Sequence, residues 1–130
     1  MERAAVYRRK LNIIVEELEA LPSPDAELSR LEMRGLLHAV QVAVDAAMDV
    51  VAMRLKDIGQ EVTDDYHNLD ALVAGGRLDV DLAATLRRLN GLRNAIVHRY
   101  NTFEEETVRE SVDEIRTALF AFVERMEASL

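Results

Sequence analysis

Residues 107–127, TVRESVDEIRTALFAFVERME, carry the pattern that decides the fold. Apolar side chains recur every three or four residues along this stretch, which is the spacing of one face of an α-helix. These side chains are Val108, Val112, Ile115, Leu119, Phe122 and Met126. Heptad spacing of this kind favours near-antiparallel packing of helices at shallow crossing angles. We therefore expect the last helix to belong to an up-and-down bundle.

Helix boundaries follow from the glycines, prolines and capping residues. Ser23 is the expected N-cap of a long second helix, with Pro24 at its first position. Thr102 and Glu105 form the expected capping box of the last helix. The predicted helices cover about 2–20, 24–58, 64–74, 80–98 and the stretch from Thr102 to about 127. Because no useful alternating strand pattern appears, the expected fold is all-α, a four-helix bundle with one additional short helix.

Composition narrows the functional classes. The 130 residues predict one domain, 1–130, and the absence of cysteine argues against disulfides and thiolate metal sites. The three histidines lack paired ligand spacing, so we expect no metal and no cofactor. No apolar run follows the charged N-terminus, and none approaches a membrane span, which predicts a cytoplasmic protein without a membrane partner. The net charge of −8 argues against non-specific coating of nucleic acid, and no DNA partner is expected.

The most basic part of this acidic chain is a single segment. No residue from Leu82 to Phe103 is Asp or Glu, although the chain has 24 acidic residues in total. The arginines of the segment are Arg87, Arg88, Arg93 and Arg99. An anionic ligand is attracted to such a place and repelled elsewhere. We therefore expect Arg87, Arg88 and Arg99 to contact phosphate. The alternative is that the arginine content only reflects codon usage.

Four polar side chains lie together within the basic segment, in the stretch RNAIVHRY at 93–100. On an ideal helix Asn94 and His98 share one face, and Arg93 nearly superposes on Tyr100. The two pairs are more than 100° apart, so one helix face does not present all four. They converge only if the helix bends or a second surface completes a cleft, which a two-fold dimer would supply. The alternative is ordinary helix capping by polar residues near a C-terminus.

A second polar pair lies on the long helix, where Asp45 and Asp49 are four residues apart. Such a stripe suits the lining of a cleft, with Asp49 either orienting His98 or pairing with Arg93. The solvated back of the helix is the alternative interpretation. Two carboxylates alone make a poor divalent-cation site because nothing else completes it.

The motif resembles a known signature. Arg93, four residues, His98, one residue and Tyr100, with Asn94 directly after the arginine, resembles the RX4HXY motif of the HEPN superfamily, and more narrowly the HepT-like toxin family. The segment around 44–49, the segment 66–72 and the run 89–92 are similar to the family as well. The resemblance covers most of the chain and is most specific in the motif.

The resemblance implies a homodimeric, metal-independent endoribonuclease toxin of a type VII-like toxin–antitoxin system. Its implied partner is a minimal nucleotidyltransferase antitoxin that silences the toxin by AMP transfer onto Tyr100. Carried over to this chain, Arg93 and His98 are the catalytic pair and Asn94 supports them. The implied substrate is tRNA or mRNA, since the base edges are exposed in single-stranded RNA and hidden in an A-form duplex.

Elementary chemistry agrees with this assignment. RNA carries an internal nucleophile in its 2′-OH, histidine titrates near neutral pH, and arginine stabilises charge on phosphate. Two alternatives stay open. The bundle is either a non-catalytic, substrate-binding subunit of a nucleotidyltransferase complex, or a helical adaptor. The adaptor explains the acid-free basic segment least well.

Overall fold

The computed structural model describes residues 3–98 and 105–130, and all of the regular structure in these two ranges is helical. The helices are α1 (Arg3–Glu19), α2 (Arg30–Asp57), α3 (Asp65–Ala74), α4 (Val80–His98), α5 (Glu105–Glu110) and α6 (Val112–Ala128). Helices α1, α2, α4 and α6 form an up-and-down four-helix bundle, with α3 as the additional short helix. The expected all-α fold is thus confirmed.

Helix α2 is the central element of the bundle. It packs against α1, α3, α4, α5 and α6, and twelve of its 28 residues are buried. By length and composition α2 is the one described helix that could cross a membrane, although most of its apolar stretch is buried inside the bundle. The predicted apolar stripe of the last helical region is confirmed, because all six of its side chains are buried. Leu82 and Ile58 pack at the edge of the core and are only partly buried.

The second helix begins six residues later than predicted. The prediction of Ser23 as N-cap is wrong, because Ser23 and Pro24 start a β-turn in which the Ala26 N–H donates to the Ser23 carbonyl at 3.0 Å. The N-cap is Ser29. Its hydroxyl accepts from the Glu32 N–H at 3.1 Å, and the Glu32 carboxylate accepts from the Ser29 N–H at 3.0 Å. The capping box outcompetes the proline signal because it satisfies two terminal N–H groups.

The last predicted helix is divided in two at Ser111. The Ser111 hydroxyl donates to the Thr107 carbonyl at 2.8 Å, and this local bond competes with the regular helical ladder. Val108 and Val112 are both fully buried, so the apolar face continues across the interruption. The predicted cap at Thr102 lies outside the described residues.

The two candidate caps of α2 give a stability test. Ser29→Ala removes the hydroxyl of the capping box and should lower the free energy of unfolding by about 1 kcal/mol. Ser23→Ala is the matched control, because the Ser23 hydroxyl accepts only one long bond, 3.4 Å from the Asp25 N–H, and should change stability by less than about 0.5 kcal/mol. Urea unfolding of both variants measures the difference. Equal losses would contradict the assignment of Ser29 as the N-cap.

Candidate functional site

Arg93 lies at the centre of a polar cluster where α4 faces α2. Its Nε donates to Asp45 Oδ1 at 2.5 Å, and its Nη1 donates to Asn94 Oδ1 at 2.6 Å. The Arg93 and Asp45 side chains are 26% and 38% exposed, so the pair lies at the rim of the core. Nη2 donates no hydrogen bond to a described residue, so it remains available for an anion. The guanidinium is therefore held along two of its nitrogens and presents the third.

Adjacent residues of a helix do not normally face each other. Arg93 and Asn94 nevertheless share a hydrogen bond, because Asp45 on α2 holds the guanidinium from the other side. This contact brings together two members of the motif that helix geometry alone separates. A helix bend or a second surface was expected to complete the site, and α2 supplies part of such a surface within the same chain.

Asn94 connects Arg93 to the short helix α3. Its Nδ2 donates to the Tyr66 hydroxyl at 3.4 Å. An arginine can only donate, so the amide oxygen must face Arg93 and the amide nitrogen must face Tyr66. The orientation of the amide is thus determined by its two neighbours.

Arg87 holds Tyr66 in turn. Its guanidinium lies over the Tyr66 ring, 5.3 Å from the centroid. Its Nη1 donates to the Tyr66 carbonyl at 3.1 Å and to Asp70 Oδ1 at 2.7 Å. Arg87 was predicted to contact phosphate, and in this structure it links α4 to α3.

The two other predicted site residues with described partners lie apart from this cluster. Asp49 accepts from Lys10 Nζ at 3.1 Å, so it links α2 to α1 and does not pair with Arg93. Sequence periodicity places Asp45 and Asp49 on one face, and only the packing of α4 decides that Asp45 meets the arginine. Arg88 Nη2 donates to Glu114 on α6 at 3.1 Å, with both side chains largely exposed.

His98 is the last residue of α4 and is exposed at the end of the helix. It lies five residues after Arg93 on the same helix. The predicted AMP acceptor Tyr100 and the predicted phosphate contact Arg99 lie outside the described residues.

His67, which lies outside the motif, has a raised pKa. His67 Nδ1 lies 2.6 Å from Asp64 Oδ2, and this hydrogen bond, reinforced by the carboxylate charge, raises the pKa of His67 above its usual value. Asp64 also caps α3 by accepting from the His67 N–H at 3.0 Å. His67 thus belongs to the start of α3, and it contacts none of the motif side chains in the described ranges.

Tyr66 was not predicted as a site residue. Asp49 was predicted to orient His98 or to pair with Arg93, and Asp45 is the aspartate that pairs with Arg93. Tyr66 was visible only as part of a segment similar to the family, because its partner Asn94 is 28 positions away. No group of three or more His, Asp or Glu side chains within 3–98 and 105–130 is arranged to hold a metal ion. The cluster therefore offers a guanidinium, an amide and a phenol for binding and orienting an anionic substrate.

Comparison with known proteins identifies the family of the chain. The model of the family described as "Ribonuclease HepT-like" matches residues 4–126, so the chain belongs to the HepT-like ribonuclease family. Two relatives from Archaeoglobus fulgidus are each named "Putative RNase". One is 39% identical over 121 residues, covering 93% of this chain and 90% of the relative. The other is 35% identical over 109 residues, covering 84% and 82%.

Solved structures share the fold. The tri-AMPylated HEPN toxin of Shewanella oneidensis, in complex with MNT antitoxin, has a TM-score of 0.83 at 16% identity, with 98% of this chain and 99% of that chain covered. The cytosolic protein YutE of Bacillus subtilis has a TM-score of 0.84 at 16% identity, covering 98% and 90%. A toxin–antitoxin structure with AMP-PNP has a TM-score of 0.86 at 14% identity, covering 95% and 98%. At such low identities these likenesses establish the HEPN fold.

The pairing of Arg93 with Asp45 can be tested against Asp49. Both aspartates lie inside α2, so replacement by alanine raises helix propensity similarly at the two positions. Asp45→Ala should lower the free energy of unfolding by about 1 kcal/mol relative to Asp49→Ala, because it removes a charge-assisted hydrogen bond at a half-buried place. Urea unfolding measures this difference. The Arg93 Nε–H signal in ¹H–¹⁵N spectra should move in Asp45→Ala only, and a shift in both variants would contradict the assignment.

Proposed function

We propose that this protein is the toxin of a toxin–antitoxin pair and acts in the cytoplasm as a metal-independent endoribonuclease on tRNA or mRNA. The observation that carries the proposal is the Arg93 guanidinium, which Asp45 and Asn94 hold while its Nη2 stays available. His98 lies on the same helix, five residues further on. Membership of the HepT-like ribonuclease family supports RNA as the substrate.

The reaction uses the nucleophile that RNA itself contains. His98 accepts the proton of the 2′-OH as the oxygen attacks the adjacent phosphorus. Negative charge develops on the non-bridging oxygens, and Arg93 stabilises it through charge-assisted hydrogen bonds. The bond to the 5′-oxygen then breaks, and that oxygen takes up a proton. The products are a 2′,3′-cyclic phosphate and a 5′-hydroxyl. DNA lacks the 2′-OH and is not a substrate.

A homodimer completes the proposed site. The leaving 5′-oxygen needs an acid while His98 is acting as the base, and the motif contains one histidine per chain. A two-fold axis near the end of α4 brings a second copy of the motif to the same substrate. In this arrangement the histidines of the two subunits serve as base and acid.

The proposed silencing partner is a nucleotidyltransferase antitoxin. The Shewanella oneidensis HEPN toxin with the same fold is AMPylated and bound to MNT antitoxin, which supports this partner. The Tyr100 hydroxyl would attack the α-phosphate of ATP and release pyrophosphate. The tyrosyl-AMP adds a negative phosphate two residues from His98, where it occupies the place of the RNA and repels it.

The rival function is a non-catalytic subunit that presents substrate to a nucleotidyltransferase. In that case Arg93 and His98 bind nucleotide or RNA without cutting it. The half-buried pair of Arg93 with Asp45 is compatible with this role, since binding phosphate needs an oriented arginine but no general base.

Cleavage without metal separates the two functions. Purified wild type, shown by mass to lack modification on Tyr100, should cut tRNA or mRNA in the presence of EDTA. His98→Ala and Arg93→Ala should each lower the rate at least about 100-fold, because each removes a group that acts in the transition state. The same two substitutions should relieve the growth arrest that expression of the toxin causes.

His67→Ala is the matched control for loss of a histidine. It should leave the cleavage rate unchanged, since His67 pairs with Asp64 at the start of α3. Absence of cleavage by wild type on both RNA classes would favour the non-catalytic subunit. Equal loss in His67→Ala and His98→Ala would sink the assignment of the base.

The modification has its own test. Co-expression with an adjacent nucleotidyltransferase should add one or more AMP units to the wild-type mass, and Tyr100→Phe should abolish the addition. Tyr66→Phe, which removes the hydroxyl of another tyrosine that is only partly buried, should keep the addition. Retention of AMP in Tyr100→Phe would refute Tyr100 as the acceptor.

A further inference from the structure

Tyr66 lies outside the motif, and its hydroxyl makes a hydrogen bond with the motif residue Asn94. Its hydroxyl accepts the hydrogen bond from Asn94 Nδ2 at 3.4 Å, while Asn94 Oδ1 accepts from Arg93 Nη1 at 2.6 Å. The phenol is thus the outer end of a chain of contacts that leads to the arginine. Because a carboxamide has one acceptor end and one donor end, a partner at each end fixes which way it points.

The Tyr66 ring is held from its other side by Arg87. The guanidinium stacks on the ring and donates to the Tyr66 carbonyl, and Asp70 accepts from the same nitrogen at 2.7 Å. Tyr66 is half-buried at the first turn of α3, which Asp64 caps. Backbone and ring are therefore both fixed, so the hydroxyl has a defined position.

We propose that Tyr66 is a positioning residue for Arg93, acting through Asn94. This inference rests on the proposed ribonuclease function. With the hydroxyl present, the amide nitrogen has a partner and the amide oxygen stays toward Arg93. Without the hydroxyl, the amide can rotate and set its NH₂ group against the guanidinium, where two donors face each other. Arg93 then keeps only Asp45, and its Nη2 samples more directions.

Under this proposal Arg87 supports Tyr66, a role different from the predicted phosphate contact. A phosphate contact would act mainly on RNA affinity and on its salt dependence. A residue that braces Tyr66 acts on the orientation of Arg93 and hence on the rate of the bound complex. Tyr66 and Arg87 are therefore expected to affect the catalytic rate and not RNA binding.

Tyr66→Phe isolates the hydroxyl, since the ring and its stack with Arg87 remain. In RNA cleavage with EDTA, kcat should fall about threefold, at the low end for one neutral hydrogen bond because the 3.4 Å contact is long, and KM should not change measurably. Tyr7→Phe is the matched control. The buried Tyr7 hydroxyl donates to Asp57 Oδ2 at 2.5 Å, and Asp57 is the last residue of α2, about 18 Å along the helix from Asp45. That variant loses stability and should keep the wild-type kcat.

A second measurement does not depend on cleavage. The ¹H–¹⁵N signals of the Asn94 side-chain amide and of Arg93 Nε–H should both move in Tyr66→Phe. Neither signal should move in Tyr7→Phe. An unchanged Arg93 signal in Tyr66→Phe overturns the proposal, whatever the activity. A rise of KM with constant kcat also overturns it and indicates contact with RNA instead. If wild type does not cleave RNA, the proposed function fails, and the two signals still decide whether Tyr66 positions Arg93.

Discussion

The bundle depends on the burial of α2. This helix packs against every other described helix, and most residues in its central part are apolar and buried. Asp45 interrupts that apolar stretch at the edge facing α4. Partial burial of a carboxylate there is unfavourable unless the carboxylate accepts a hydrogen bond. Arg93 is the donor of that bond. A broken pair would leave one half-buried charge without a partner, so the packing of α4 on α2 and the orientation of the arginine are fixed together.

The acidic net charge and the basic helix are reconciled by pairing within the chain. Arg87, Arg88 and Arg93 each donate to a carboxylate of another helix. Within the described residues, these pairs place a carboxylate beside each arginine of α4. In the proposed function, attraction of a phosphate depends on the guanidinium N–H groups that these pairs do not use, and its selectivity depends on their geometry.

Sequence periodicity was sufficient for the helices and for their buried faces, because burial repeats with the helical period. It was insufficient at the start of α2. Ser23-Pro24 was predicted as that start, and the reciprocal bonds between Ser29 and Glu32 show that the helix begins later in the chain. It also could not separate Asp45 from Asp49, since both lie on one face and the neighbours that distinguish them, Arg93 and Lys10, come from different helices. Long-range contacts are absent from any local pattern, and so Tyr66 was not assigned.

Arginine suits the role at position 93 for a geometric reason. Its five N–H donors lie in one plane, and it stays charged throughout the physiological range. Asp45 accepts from Nε and Asn94 accepts from Nη1, so these two bonds orient the guanidinium and leave Nη2 for the phosphate of the proposed substrate. A lysine has a single point of charge, and a carboxylate that positioned it would occupy the same atom that the phosphate needs. The guanidinium therefore uses separate nitrogen atoms for its positioning and for the proposed phosphate contact, whereas a lysine has one nitrogen for both.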